Sequence, residues 1–312
     1  MKKPPSRPTP QSWRPLDPDY ANRAGYDARF LDVPVPAPRL KPPAKALATA
    51  PVLPYQHFSI LLHPARKLAF WTAVNIDGAR ERHLGERRPD EWWFDERAPD
   101  LQVGGRFYAG SGFQRGHLVR RLDPAWGDSD EASGRGEADT FHWSNCSPQM
   151  PQLNTQWWLE VENHVLQTAN ARDLKVSVFS GCVFTDADPV YRGVRIPLAF
   201  WKVAAWTVTV QRQPALRSLA FLVKQDEAVA ALLRKRGVQP LAVDFGDLPE
   251  RIQGYQTTVA ELQRLTHCQF GELASPEVDV YARRRSTRLA PQVFNAIDTY
   301  RRLGRPADLI TA

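Results

Sequence analysis

Ser111-Gly-Phe-Gln-Arg-Gly-His117 is followed by Phe141-His-Trp-Ser-Asn145, Ser147-Pro-Gln149 and Asn154-Thr-Gln-Trp-Trp-Leu-Glu-Val-Glu162. From Asn154 to about Ala171, apolar residues recur at Trp158, Val161, Val165 and Ala169, the spacing of an amphipathic helix. A histidine has an unperturbed pKa near ~6.5, so neutral His117 can take a proton from water at working pH. Arg115, two residues earlier, can hold an anionic oxygen. Asn154 and Asn145 offer neutral oxygen ligands, and Glu162 an anionic one. If the helix begins at Asn154, Glu162 follows about 80° around the axis, so both can border one cleft while Val161 and Val165 face the core. Oxygen ligands with few carboxylates suit a hard, largely hydrated Mg²⁺. A base, an arginine and a sparsely held Mg²⁺ are the components for hydrolysing a phosphodiester. Spacing alone does not decide this. A histidine in a glycine-containing loop is often incidental, Asn and Glu on a helix usually face solvent, and Trp157 and Trp158 suit packing better than base stacking.

Outward from this stretch, Phe58–Leu62 and Leu68–Val74 read as two strands joined by the turn His63-Pro-Ala-Arg-Lys67. Residues 78–113 are charged and irregular, with Trp92-Trp93 pinning them to the core, and 127–138 reads as a polar surface loop. Further strands are expected at 176–180, 200–208 and 218–223, and helices at 226–236 and 257–265. Strands and helices mix without regular βαβ alternation, which predicts an α+β domain with a mixed or antiparallel central sheet flanked by helices. Thirteen of the 27 prolines fall in the first 54 residues. Residues 1–54 therefore read as a proline-rich arm, partly extended or disordered, with Trp13, Tyr20, Tyr26 and Phe30 as docking anchors or as part of a solvated tail. The domain is expected over 55–272, with a basic extension over 273–312 that carries Arg283, Arg284, Arg285, Arg288, Arg301 and Arg302.

The 312 residues carry 41 Lys+Arg against 34 Asp+Glu, a formal charge of +7 that favours an anionic partner. A hydrophobic share of 43% excludes disorder of the whole chain. No apolar run reaches the ~20 residues that span a bilayer, so no membrane role is expected. The basic start MKKPPSRPTP has no apolar stretch behind it, so the expected location is the cytoplasm, with export by another route left open. Three dispersed cysteines exclude a disulfide scaffold, and no Cys or His pair has the spacing of a zinc finger.

Phe-Gln-Arg-Gly-His117 resembles the Asp-Arg-Gly-His motif of the DNA/RNA non-specific endonucleases, a ββα-metal family that includes mitochondrial endonuclease G and secreted bacterial nucleases. Ser144-Asn145, Pro148-Gln149, Leu153-Asn154, Trp158 and Glu162 follow in the same register as in that family. The resemblance covers roughly 55–270, including Ser180-Gly181 and Ile196-Pro197 with Phe200-Trp-Lys202-Val203. It implies a ββα-metal active site and Mg²⁺, with Mn²⁺ as a substitute. It implies hydrolysis of DNA and RNA without regard to sugar or sequence, leaving 5′-phosphate and 3′-hydroxyl ends. By position His117 resembles the general base, Asn154 the direct metal ligand, and Glu162 the residue that orients water at the metal. Asn145 and Gln149 match supporting polar groups, Arg115 the motif arginine, and Lys67, with neighbouring Arg66, a phosphate-binding side chain of the hairpin. Gln114 stands where the family usually has Asp, so it can hydrogen-bond within the loop but brings no negative charge.

The rival reading is a nucleic-acid-binding module of the same fold, catalytically weakened, with Gln114 as the trace of that loss. The family resemblance also raises a homodimer. A sequence-indifferent nuclease beside its own chromosome needs restraint, for which the candidates are the arm, the basic tail, or a regulatory or inhibitory protein partner.

Overall fold

In the computed structural model, described here for residues 20–42, 51–82, 91–238, 253–283 and 301–302, the fold is α+β. The strands in chain order are β1 Arg39–Leu40, β2 Val52–Pro54, β3 Phe58–His63, β4 Leu68–Asp77, β5 Gln114–His117, β6 Cys146–Gln149 and β7 Lys175–Val183, then β8 Val190–Tyr191, β9 Val194–Arg195, β10 Ala199–Val210, β11 Gln213–Lys224, β12 Gln253–Thr257, β13 Cys268–Gln269 and β14 Arg301–Arg302. The α-helices are α1 Gly105–Tyr108, α2 Asp130–Asp139, α3 Trp158–Ala171, α4 Asp226–Lys235 and α5 Val259–Leu265. Eight strands form one sheet in the order β14-β12-β11-β10-β7-β4-β3-β2, every neighbouring pair antiparallel. β4 is buried at all ten positions, because both faces of the sheet are covered at its centre. β10 and β11 run paired from Ala199↔Lys224 to Val210↔Gln213. Gln211 and Arg212 close that hairpin with both residues left-handed, the backbone that matches the twist of the flanking strands.

α3 lies on the sheet with Trp158, Val165, Leu166 and Ala169 in the main core. Val161 joins a smaller cluster with Leu219, Phe221, Val280 and Tyr281. The helix is preceded by a π-helical turn, Leu153–Trp157. The segment expected as a surface loop at 127–138 is instead largely α2. Ser129 caps it by accepting from Ala132 N, and Ser133, Gly136, Glu137 and Asp139 are buried. Its few apolar residues hide the helix from a periodicity search. Gly136 is required there, since a Cβ would lie 2.1 Å from the Pro124 carbonyl oxygen.

The described part of the arm is folded onto the domain. Tyr20, Phe30, Leu31 and Val35 are buried in the core, Arg23 pairs with Asp139 at 2.7 Å with both side chains fully buried, and β2 is the sheet's outer strand. β1 pairs with β13, which ties the arm to the far end of the chain. Trp13 lies outside the described residues. At the other end, Asp279 bridges to Ser218 and is buried with Val278, Val280 and Tyr281, so the start of the expected extension also belongs to the body. Arg284, Arg285 and Arg288 lie outside the described residues.

Candidate active site

β5 and β6 form a separate two-stranded ribbon, Gln114↔Gln149 to His117↔Cys146, that carries the motif ahead of α3. Gly116 is needed for close approach within that ribbon, because a Cβ there would lie 2.1 Å from Gln149 Oε1. The backbone leaving β5 is held at successive polar groups. The His117 carbonyl accepts from Trp158 Nε1 at 3.1 Å, and Leu118 N donates to the Asn145 carbonyl at 3.1 Å. The Leu118 carbonyl accepts from Lys202 Nζ at 3.4 Å. Asn145 is buried and spends its side chain on Val119 N, Val119 O and Thr140 O, each at 2.9 Å. It positions the loop.

A cavity of about 650 Å³ opens beside this clamp, lined by Trp92, Gly105, Tyr108, Ala109, Phe113, Gln114, Arg115, His117 and Asn154. The His117 imidazole packs against Trp92, with ring centroids 4.6 Å apart, and perpendicular to Phe141 at 5.0 Å, and these two rings also touch each other at 5.5 Å. Its Nε2 is buried without a hydrogen-bond partner. Burial, reinforced by the Arg121 and Arg115 guanidiniums, lowers the pKa to about 3, so the ring is neutral at working pH. Asn154 sits on the π-helical turn, and its Nδ2 donates to Gln114 Oε1 at 2.8 Å. With the amide nitrogen so engaged, the carbonyl oxygen is the donor atom Asn154 has left to offer.

Glu162 is not among the residues lining the cavity. The expected 80° relation assumed a regular helix from Asn154, and the wider π-turn breaks that count. Glu162 is buried instead, with Oε1 at 3.7 Å from Lys202 Nζ. Burial raises its pKa to about 7 against the opposing pull of Lys202, and Asp123 pushes the same way as burial. Lys202 is itself buried on β10 and also donates to Ser180 Oγ at 2.9 Å. Gln149 is buried, with neither polar side-chain atom hydrogen-bonded.

Arg66 and Lys67 are not brought to the cavity. Arg66 pairs with Asp188 at 3.0 Å and lies over the Phe184 ring, while Lys67 occupies a left-handed position in the β3–β4 turn. Sequence reasoning missed the cavity's aromatic wall. Trp92, expected as a packing residue, does stack on Trp143 at 5.2 Å, but it also lines the cavity. The pair Trp92-Trp93 in a polar segment was the available signal. Lys202 was the other omission, a lone cation inside the apolar run Phe200–Val208.

The family model of the DNA/RNA non-specific endonucleases matches residues 36–276. The uncharacterized protein y4fB of Sinorhizobium fredii is 40% identical over 263 residues, 78% of this chain and 38% of that protein. Human mitochondrial endonuclease G is 29% identical over 110 residues, 35% of this chain and 35% of that protein. The chain thus spans under two-fifths of the length of either relative. The crystal structure of an EndoG/EndoGI complex shares the fold with a TM-score of 0.51 and 15% identity, over 73% of this chain and 88% of that one. The ribbon bearing Gln114-Arg-Gly-His117 and the Asn154 turn lie within the matched residues, and the chain belongs to the DNA/RNA non-specific endonucleases, a family of phosphodiester-hydrolysing enzymes.

Proposed function

We propose that this chain is a Mg²⁺-dependent endonuclease that hydrolyses DNA and RNA without regard to sugar or sequence, leaving 5′-phosphate and 3′-hydroxyl ends. The observation that carries the reading is the buried, unpartnered Nε2 of a neutral His117 on the wall of a cavity that also holds Arg115 and Asn154. Asn154 fits a hydrated Mg²⁺, or Mn²⁺ in its place, since Gln114 engages its amide nitrogen and leaves the carbonyl oxygen as donor. Among the described residues no group of three His, Cys, Asp or Glu stands together, so the donor set suits a sparsely held hard cation rather than a carboxylate cage. When bound, the cation supplies charge neutralisation for the pentavalent transition state.

His117 takes a proton at Nε2 from the water that attacks phosphorus in line. Arg115, exposed and lining the cavity, faces the non-bridging oxygens. The pinned backbone from His117 to Val119 fixes the base while the substrate moves, which lowers the entropy lost on reaching the reactive geometry. Contacts to phosphate carry no sequence information, so substrate choice is broad. The test is plasmid nicking by wild type and His117→Ala in Mg²⁺, with thermal unfolding of both. Loss of most cleavage with melting within a few degrees of wild type supports the assignment, and near-wild-type cleavage removes His117 from the mechanism.

A further inference from the structure

The backbone from Phe107 to Gly110, of which Tyr108 and Ala109 line the cavity, accepts hydrogen bonds from two arginines. Arg192 sits at the tip of the β8–β9 hairpin, and its Nη1 donates to the carbonyls of Phe107 at 3.0 Å and Ala109 at 2.7 Å. Its Nη2 lies 3.4 Å from the Gly110 oxygen, and Arg236, just past α4, donates to that same oxygen at 3.1 Å. Both side chains are on exposed residues, and neither makes an ion pair among the described residues. Two guanidiniums converging on one neutral carbonyl repel each other. The space beside them is open, because a Cβ built on Gly110 would meet nothing within 4 Å. The Arg192 finger is also braced. Arg192 and Gly193 form its left-handed two-residue turn, and Arg195 ties the hairpin's base to the Asp186 and Asp188 carbonyls.

We propose that Arg192 and Arg236 form a phosphate subsite for the nucleic-acid strand, outside the cavity that carries His117. The proposal rests on the nuclease reading above. Ala109, which accepts from Arg192, lines the cavity, so the subsite adjoins it. A phosphodiester held in the cavity leaves the next stretch of backbone to cross this rim, where a bridging phosphate relieves the repulsion between the two cations. Arginine's planar fork has N–H groups left over after its bonds to the carbonyls, so it can brace the wall and bind the strand together.

The experiment compares wild type, Arg192→Gln, Arg236→Gln, the double variant and Arg192→Lys. Affinity for a defined DNA duplex is measured over a salt series with divalent cations chelated, so binding is read without cleavage. Each Gln substitution is expected to weaken binding several-fold and to flatten the plot of log affinity against log salt by about 0.9. Arg192→Lys keeps the charge and is expected to keep the slope. With Mg²⁺ present, KM for the duplex is expected to rise by a larger factor than any loss in hydrolysis of bis(p-nitrophenyl) phosphate, a diester too short to reach the rim. An unchanged salt slope overturns the proposal. So does an equal loss on the short diester, which would make the arginines braces of the cavity wall alone. A flattened slope in a protein that cleaves neither substrate would support the subsite while overturning the nuclease reading.

Discussion

Gln114 Oε1 accepts a hydrogen bond from Asn154 Nδ2 at 2.8 Å, so the residue standing where the family usually has aspartate holds the amide of the candidate metal ligand. The bond needs an acceptor, which glutamine supplies. What glutamine lacks is the charge that would draw a cation. Gln114→Asp should therefore lower the Mg²⁺ concentration needed for half-maximal cleavage. Gln114→Leu should raise it or cut activity by about 10–100-fold, the usual cost of losing a group that orients a ligand. A Mg²⁺ titration of nicking rates checks both, and identical curves for all three proteins would detach Gln114 from the metal.

Lys202 ties Glu162 to the Leu118 carbonyl from the centre of the sheet. Lys202→Met keeps the buried stem and removes the ammonium. We expect kcat to fall by about 10²-fold with KM little changed, as for a slight misplacement of the reacting groups. Glu162→Gln and the double variant complete the cycle. If Lys202 acts by holding Glu162, the double variant is no worse than the poorer single one, and independent additive losses would refute the coupling.

Stability should decline in mild acid. His57 and His63 have pKa values lowered to about 4, chiefly by burial, and His117, His142, His164 and His267 are lowered as well. Between pH 6.5 and 4 the unfolded chain binds more protons at these sites. Their contribution is therefore complete above 6.5 and is lost as pH falls. Glu162, Asp123 and Asp188, raised by burial, pull the other way, three groups against six. Urea unfolding at pH 7 and 5 should show the loss. His63→Gln should reduce the slope by about 1.4 kcal/mol per pH unit. Equal stability at the two pH values would contradict the histidine accounting.

The arm should matter to folding. Arg23→Ala leaves Asp139 as a buried carboxylate without its guanidinium partner, and breaking such a pair costs about 3–5 kcal/mol. Chemical denaturation measures this directly. A loss under about 1 kcal/mol, the range of exposed pairs, would place the pair in solvent.

Much of the site could be read from residue order, because its core is local. Gln114, Arg115 and His117 share one short strand, and Asn154 lies in the first turns of the helical segment that follows its partner strand. The long apolar runs at 58–62, 68–74 and 200–208 gave the sheet for the same reason. What stayed hidden depends on contacts remote in sequence. Tyr20, Tyr26 and Phe30 are anchors whose pockets lie more than 30 residues away, so a proline-rich stretch could not reveal its packing. α2 carries too few apolar residues to show a period, yet it is needed to present Asp139 to Arg23. Glu162 illustrates a third cause, since one π-turn shifts every later position around the helix axis without any signature in composition.

Trp92 and Phe141 pack against His117 and against each other. Among the described residues no hydrogen bond tethers the ring, and two aromatic side chains shape the space it fills. Trimming the histidine to glycine therefore leaves a space of imidazole's size beside the Trp92–Phe141 pair, still facing the cavity. Such a space is a receptor for the free heterocycle. Millimolar imidazole in solution should dock there and restore part of the lost cleavage, turning a dead variant into one switched on by a small molecule. Ring-substituted imidazoles too bulky to fit against Trp92 and Phe141 should leave it silent.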